Sequence, residues 1–279
     1  MNIPEIVKIL TDGGIEQNEA NIEVRMLIEH FCGLSAMDIL LGKKLDYSKL
    51  AEVKEKAELR VRTKRPIQHI TGFAHFMGER FIVNPNVLIP RDETELLVRK
   101  AIQIIKENNF KTALDVGTGS GCIACMTAKF TNCRITGLDI SSDALNVALD
   151  NAMRLNLNNK AVFRKSDIFS NVRTGETFDI IISNPPYIPP HEAYNLQKEV
   201  KFEPPQALFT RDESGMEFYE KITIQAPSVL NRGGYLLFEL GKGQAKDVKS
   251  IMGYNGFESM EITNDLAGIE RVICGKLCC

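Results

Sequence analysis

The sequence predicts an α/β fold, a doubly wound parallel sheet preceded by a small helical bundle and joined to it by a β-hairpin linker. Three patterns carry that prediction. After about residue 92, short apolar runs alternate with amphipathic stretches, the signature of strands crossing over through helices. The first 65 residues hold only helical spacing and helix caps. Between them, residues 66–90 mix aromatic and β-branched side chains with turn formers. The expected domains are therefore 1–65 (helical), 66–90 (hairpin linker) and 91–279 (sheet). A chain of 279 residues is long enough for two domains. Its 44% hydrophobic and 25% charged residues exclude disorder, collagen and a small disulfide scaffold.

Each element follows from local chemistry. Asn2 can cap a first helix with Pro4 in its first turn and Ile6, Val7, Ile9 and Leu10 on its apolar face, until Asp12-Gly13-Gly14 stops it. Asn18 can cap a second helix carrying Ile22, Leu27, Ile28 and Phe31, stopped near Gly33. Ser35 to Asp38 resembles a capping box with Asp in place of Glu, opening a short helix that ends at Gly42. Residues 47–65 align Leu50, Val53, Ala57 and Val61, and Pro66 ends that helix. In the linker, Ile70, Phe73, Phe76, Phe81, Ile82 and Val83 are interrupted by Gly72, Gly78, Asn84-Pro85 and Pro90. The sheet domain then reads helix 94–106, strand 112–116, a helix to 130, strand 134–138, helix 143–155, strands 161–165 and 178–183, helix 216–230 and strand 234–240. A last helix and strands near 257–262 and 271–274 close the chain.

Charge and cysteine usage narrow the function classes. Lys and Arg number 34 against 36 Asp and Glu, a net charge of -2. A protein that coats nucleic acid needs a basic excess. No run approaches the ~20 apolar residues of a spanning helix. Met1 to Leu10 contains Glu5 and Lys8 and lacks the layout of a signal peptide. Seven cysteines without framework spacing read as reduced thiols in a cytoplasmic protein.

The first chemical motif is the turn after strand 112–116. Asp115-Val116-Gly117-Thr118-Gly119-Ser120-Gly121 leads from a strand into a helix. Glycines there let the backbone approach a ligand, and the helix start offers free N–H groups. Asp139, 22 residues after Gly117 and at the end of the next strand, stands where a carboxylate accepts ribose hydroxyls. A dinucleotide fingerprint wants its third glycine one position later, where Cys122 stands. Asp115 would also repel a pyrophosphate, yet it suits the amino group of a methionine moiety. Both departures point to S-adenosylmethionine rather than NAD. Asp167 could accept from the adenine amino group while Ile168 packs on the ring. The alternative for all these residues is a ligand-free strand-end turn.

The second motif is Asn184-Pro185-Pro186-Tyr187, directly after the buried strand 178–183. Ligands of open α/β sheets bind at that edge. Two prolines stiffen the loop and display Asn184 and Tyr187 in fixed positions. The Asn184 side-chain oxygen and the Pro185 carbonyl can each accept one N–H of a planar, conjugated NH2 group. They would point its nitrogen at a sulfonium methyl and stabilise the positive charge that develops there. Tyr187 can stack on the planar group, and no strong general base is required.

Together with Ile89-Pro90-Arg91-Asp92-Glu93-Thr94-Glu95, Gln68-His69-Ile70-Thr71-Gly72 and Phe202-Glu203-Pro204-Pro205-Gln206-Ala207-Leu208, these motifs resemble the protein-(glutamine-N5) methyltransferases that modify peptide chain release factors. The resemblance spans nearly the whole chain. It implies a Rossmann-like class I S-adenosylmethionine-dependent methyltransferase sheet and a helical N-terminal domain that recognises substrate. It implies methylation of the glutamine in the Gly-Gly-Gln loop of class 1 release factors. By that similarity Asn184 and Pro185 hold the glutamine amide, Pro186 and Tyr187 flank it, and Arg91 and Glu93 line the substrate mouth. Gly117, Thr118, Gly119, Ser120 and Gly121 with Asp139 hold the cofactor. Asp92 stands where the family often has Pro, and Ile168 where an aromatic often meets adenine.

Other features have blander readings. Cys122 and Cys125 have no partner pair at zinc spacing and read as core; no metal is expected. The Cys278-Cys279 tail reads as exposed. The basic residues of 54–65 read as a solvated face or as a docking site for an acidic partner. Three competing functions stand beside release-factor methylation: glutamine methylation of a ribosomal protein, adenine-N6 methylation of DNA, and a non-catalytic nucleoside sensor. The DNA reading would require base flipping and a basic surface. No direct nucleic-acid partner, no membrane and a monomer are expected.

Overall fold

The computed structural model of the chain describes residues 2–43 and 45–278. The chain divides into two compact units, residues 1–73 with 197–202 and residues 74–196 with 203–279.

The first unit is helical: α1 (Ile3–Asp12), α2 (Gln17–Cys32), α3 (Ala36–Leu40), α4 (Tyr47–Thr63) and α5 (Ile67–Thr71). Asn2 caps α1 as expected, and Glu5 completes a capping box. The cap of α2 differs from expectation, because the Glu16 carboxylate accepts from the Asn18 N–H at 2.9 Å. The helix starts earlier than expected, at Gln17, so the Asn18 N–H is itself a free first-turn donor that the Glu16 carboxylate satisfies. α4 stops at a left-handed Lys64 (φ 57°) rather than at Pro66, which instead leads into α5. That short helix occupies the start of the expected hairpin linker. α1, α2 and α4 pack together through Ile6, Leu10, Val24, Leu27, Leu50, Val53 and Ala57. Arg60, expected on a solvated basic face, is fully buried. Its guanidinium donates to Glu23 at 2.9 Å and to Glu199 of the 197–202 segment at 2.9 Å. Two carboxylates on one buried guanidinium offset its desolvation, which an unpaired charge could not bear.

The second unit opens with the expected hairpin, β1 (Phe73–Phe76) and β2 (Glu79–Ile82), turned at Met77 and Gly78, both at positive φ. Then follow α6 (Thr94–Asn108), β3 (Thr112–Val116), α7 (Cys122–Phe130), β4 (Arg134–Asp139), α8 (Ser142–Arg154), β5 (Ala161–Lys165), β6 (Phe178–Ser183), α9 (Glu217–Gln225), β7 (Leu230–Glu239), α10 (Ala245–Tyr254), β8 (Phe257–Asn264) and β9 (Glu270–Leu277). The sheet order is β5-β4-β3-β6-β7-β9-β8. Five strands are parallel; β9 runs antiparallel to both β7 and β8. The expected parallel sheet thus carries an antiparallel edge, because a tight turn fixed by Asp265 joins β8 to β9 without a crossover helix. Ile180, Ile181 and Ile182 of β6 are all fully buried, as a strand covered on both faces requires.

Two other expectations change. The helix expected to run to residue 230 ends at Gln225. Pro227 sits in a following 3-10 turn, and β7 begins at Leu230. Residues 190–207, for which the sequence predicts no element, hold three 3-10 turns at Pro190–Asn195, Lys198–Phe202 and Pro205–Ala207. Cys122 and Cys125 are buried in the core and Cys278 is exposed; Cys279 lies outside the described residues. Among the described residues no helix is long and apolar enough to cross a membrane.

Candidate active site

The site is built where parallel strands end together. Val116, the last residue of β3, pairs with Leu138 of β4 and Ser183 of β6. The turn after β3 and the loop after β6 therefore leave the sheet side by side. Ser183 fixes this spacing by donating its hydroxyl to the Val116 carbonyl at 2.7 Å.

In the turn, Gly117, Gly119 and Gly121 all have positive φ. Two of them serve different ends. Beside Gly117 there is open space, so nothing but a ligand would meet the backbone there. At Gly121 a Cβ would lie 2.9 Å from the Cβ of Ala148, so glycine lets α7 and α8 close up. Asp139 holds the turn through its carboxylate, which accepts from Gly119 N–H and Ser141 N–H at 2.9 Å each. Burial raises its pKa, and these backbone donors pull it back. Asp115 lies beneath the turn, fully buried. Its Oδ2 accepts from the Thr118 hydroxyl at 2.6 Å and the Ala124 N–H at 3.2 Å, while Oδ1 has no protein partner. Burial pushes its pKa to about 7.

A cavity of about 370 Å³ opens beside the turn, within the size range of small-molecule sites. It brings together Gly117, Gly119, Asp139, Asp167, Ile168, Asn184, Pro185 and Pro186. Ile168 reaches it at φ 50°, an unusual conformation for a β-branched residue. The adjoining turn is tied by Asp167 N–H to Ser170 Oγ at 3.1 Å and Asn171 Nδ2 to the Lys165 carbonyl at 2.7 Å. An open glycine face, a carboxylate at the next strand end and an apolar wall suit S-adenosylmethionine. Asp115, Thr118, Ser120 and Gly121 do not line this cavity. Asp115 and Thr118 bond to each other beneath the turn, Ser120 accepts from Asn151 through its carbonyl, and Gly121 packs against α8.

The Asn184 side-chain nitrogen donates to the Thr94 hydroxyl at 3.3 Å, which leaves its Oδ1 for other donors. Tyr187 stands outside the cavity lining, half-buried. Burial and the Glu239 carboxylate raise its phenol to about 12, so it is neutral at physiological pH. Its surroundings escaped the sequence reading. Gln244 donates to the Tyr187 carbonyl at 3.1 Å and accepts from the Gly241 N–H at 3.1 Å. A Cβ at Gly241 would come within 2.9 Å of the Tyr187 ring. Arg91 and Glu93 both act electrostatically on Tyr187. Arg91 pairs with Glu203, which also accepts from the Ile89 N–H at 2.9 Å. Glu93 lies 3.8 Å from Arg271. The one sequence signal for Glu203 was its place in the Phe202 to Leu208 motif; Gln244 and Gly241 carried none.

Comparison with known proteins agrees with this geometry. A family model described as the methyltransferase small domain matches residues 92–214. The release factor glutamine methyltransferase of Chlorobaculum tepidum is 36% identical over 269 residues, covering 91% of this chain and 89% of its own. The Bacteroides thetaiotaomicron protein of the same name is 36% identical over 260 residues, covering 90% and 92%. A methyltransferase structure from Pyrococcus furiosus superposes on 73% of this chain and 91% of its own with a TM-score of 0.53 and 22% identity, a likeness of fold. Fold and site define a class I methyltransferase that uses S-adenosylmethionine as its donor. Within that class the chain belongs to the release factor glutamine methyltransferase family.

Proposed function

We propose that the chain transfers a methyl group to the side-chain amide nitrogen of the glutamine in the Gly-Gly-Gln loop of class 1 release factors, in the cytoplasm and as a monomer. One observation carries the reading: Asn184, Pro185 and Pro186 share a cavity with Gly117, Gly119 and Asp139. An acceptor amide held by the first group would therefore face a donor held by the second.

Bound S-adenosylmethionine supplies an electrophilic sulfonium methyl. The chain's residues do the rest. Gly117 and Gly119 admit the donor, Asp139 takes its ribose hydroxyls, and Asp167 and Ile168 bound its adenine. Asp115, through the turn it ties, sets the shape of the donor seat. Asn184 Oδ1 and the Pro185 carbonyl each accept one amide N–H of the glutamine. Those acceptors gain strength as the nitrogen becomes positive, so they favour the transition state over the ground state. Pro186 and neutral Tyr187 flank the amide plane. The methylated nitrogen then loses its proton to water. Arg91 and Glu93 border the entrance, and the helical residues 1–65 recognise the protein substrate.

The test is transfer of labelled methyl to an unmodified release factor and to its Gly-Gly-Ala variant. Label on the first and none on the second supports the assignment. Label on both moves the acceptor elsewhere in the protein. Label on neither, with label on a ribosomal protein or on DNA, replaces it with one of the competing acceptors.

A further inference from the structure

The structure assigns a positioning role to Glu239, a residue outside every motif above: it sets which way round the Asn184 amide stands. This rests on the methyl-transfer reading of the Asn184 loop.

Ser183 at the end of β6 pairs with Phe238 of β7, so the next residues, Asn184 and Glu239, leave the two strands together. Glu239 is 3% exposed, and its Oε2 has no hydrogen-bond partner. Its main chain is fixed, because its carbonyl accepts from the Tyr219 hydroxyl at 2.9 Å and it pairs with Val272 of β9. An acid buried in this way is retained against a large desolvation cost and needs a use.

Its neighbours suggest one. Asn184 Nδ2 donates to the Thr94 hydroxyl at 3.3 Å, and Thr94 is itself buried. A hydroxyl that accepts there still has its own proton to give. Thr94 and Asn184 both favour the ionised form of the Glu239 carboxyl, lowering its pKa against the effect of burial. An ionised carboxylate only accepts. It therefore orients both donors toward itself: Asn184 Nδ2 faces inward, and Oδ1 faces the acceptor amide. A protonated Glu239 can donate instead. Thr94 can then turn its proton toward Asn184 and stabilise the flipped amide, which offers the substrate an NH2 where it needs an oxygen.

The groups facing Glu239 allow this switch near neutrality. Glu93, before α6, raises its pKa and Arg271 of β9 lowers it; burial dominates and sets it at about 7. The other titratable groups in its field are Tyr187, Tyr219 on α9 and Cys122 on α7. All three are held neutral by burial well above pH 7.

The experiment measures kcat and KM for an unmodified release factor from pH 5.5 to 8.5, in the wild type and in Glu239→Gln. Wild-type kcat is expected to rise about tenfold per pH unit below about 7 and then level. Glu239→Gln, which no longer enforces one direction, should lose that inflection. Its kcat should fall about 10- to 100-fold, as when a group orienting a reacting residue is lost, with KM and S-adenosylhomocysteine affinity unchanged. A purely structural role would lower stability and leave the inflection in place. Should the variant fold poorly, the wild-type Asn184 side-chain amide resonance is the second measurement; it should shift with pH in phase with the Glu239 carboxyl carbon. An inflection that survives in Glu239→Gln, or an Asn184 amide that does not follow Glu239, overturns the assignment alone. A wild type that labels no glutamine overturns the underlying reading as well.

Discussion

Two loops leave adjacent strands side by side, after the paired residues Val116 and Ser183, and they use opposite chemistry. The one after β3 is glycine at every second position; the one after β6 holds two consecutive prolines. A donor seat needs backbone without side chains, at φ values other residues avoid. An acceptor clamp needs carbonyl and amide oxygens that do not move while charge develops between them. The proposed function asks one sheet edge for both, and β3 and β6 are neighbours there, with Ser183 tying their register. The difference teaches that the first loop should fail by losing ligand or fold, and the second by losing rate.

The largest separation is expected from Asn184→Ala. On the proposed reading it removes one of two acceptors for the substrate amide, which should cost about 10²- to 10³-fold in kcat. Binding of S-adenosylhomocysteine, followed by calorimetry, should change little. Equal loss of both would place Asn184 in the donor seat and dissolve the comparison.

Within the glycine turn the prediction divides again. Gly121→Ala meets Ala148 and Phe163 at φ 78°, so left-handed strain of ~1–2 kcal/mol adds to overpacking of ~1–3 kcal/mol. Gly117→Ala bears only the strain of ~1–2 kcal/mol, because the space beside it is open. Urea unfolding should rank Gly121→Ala well below Gly117→Ala in stability. Ligand binding to the folded fraction should show the reverse, with Gly117→Ala the weaker binder.

Asp115 sharpens the comparison through pH. Its carboxyl is raised from 3.8 to about 7 in the folded chain, so the native state holds its proton more tightly than the unfolded state. The stability this contributes is complete below about pH 4 and is lost as pH rises through about 7. At about 1.4 kcal/mol per unit, the loss is on the order of a few kcal/mol. Glu239 acts in the same window and direction. Asp115→Asn should therefore flatten the fall in unfolding free energy between pH 4 and 7 without abolishing it. Parallel curves for variant and wild type would show that Asp115 does not titrate there.

Much of this was legible because the chemistry is local. Strand 112–116 and strand 178–183 end where apolar runs meet glycine or proline, and the capping box at Ser35 and Asp38 is written in adjacent residues. What escaped depends on partners far away in sequence. Arg60 looked solvated among lysines because its acceptors, Glu23 and Glu199, lie 37 and 139 residues off. The spacing of Asp115 cannot show that Thr118 and Ala124 fold back onto one of its oxygens. Glu239 sat at an ordinary strand end until the β6–β7 register placed it beside Asn184.

Arg60 also sets the smallest prediction, one outside both loops. Once it is assigned to the core, the exposed basic residues of α4 and its end are fewer than the sequence implies. Lys64 is half-buried and donates to the Gly13 carbonyl at 2.7 Å, while Arg62 and Arg65 are exposed. If this face docks an acidic surface of the protein substrate, Arg62→Glu with Arg65→Glu should raise KM severalfold and leave kcat and donor affinity alone. Exposed charges act mainly on encounter and are screened by salt. The effect should therefore shrink at high ionic strength, where a change due to misfolding would not. An unchanged KM at low salt would return this face to plain solvation.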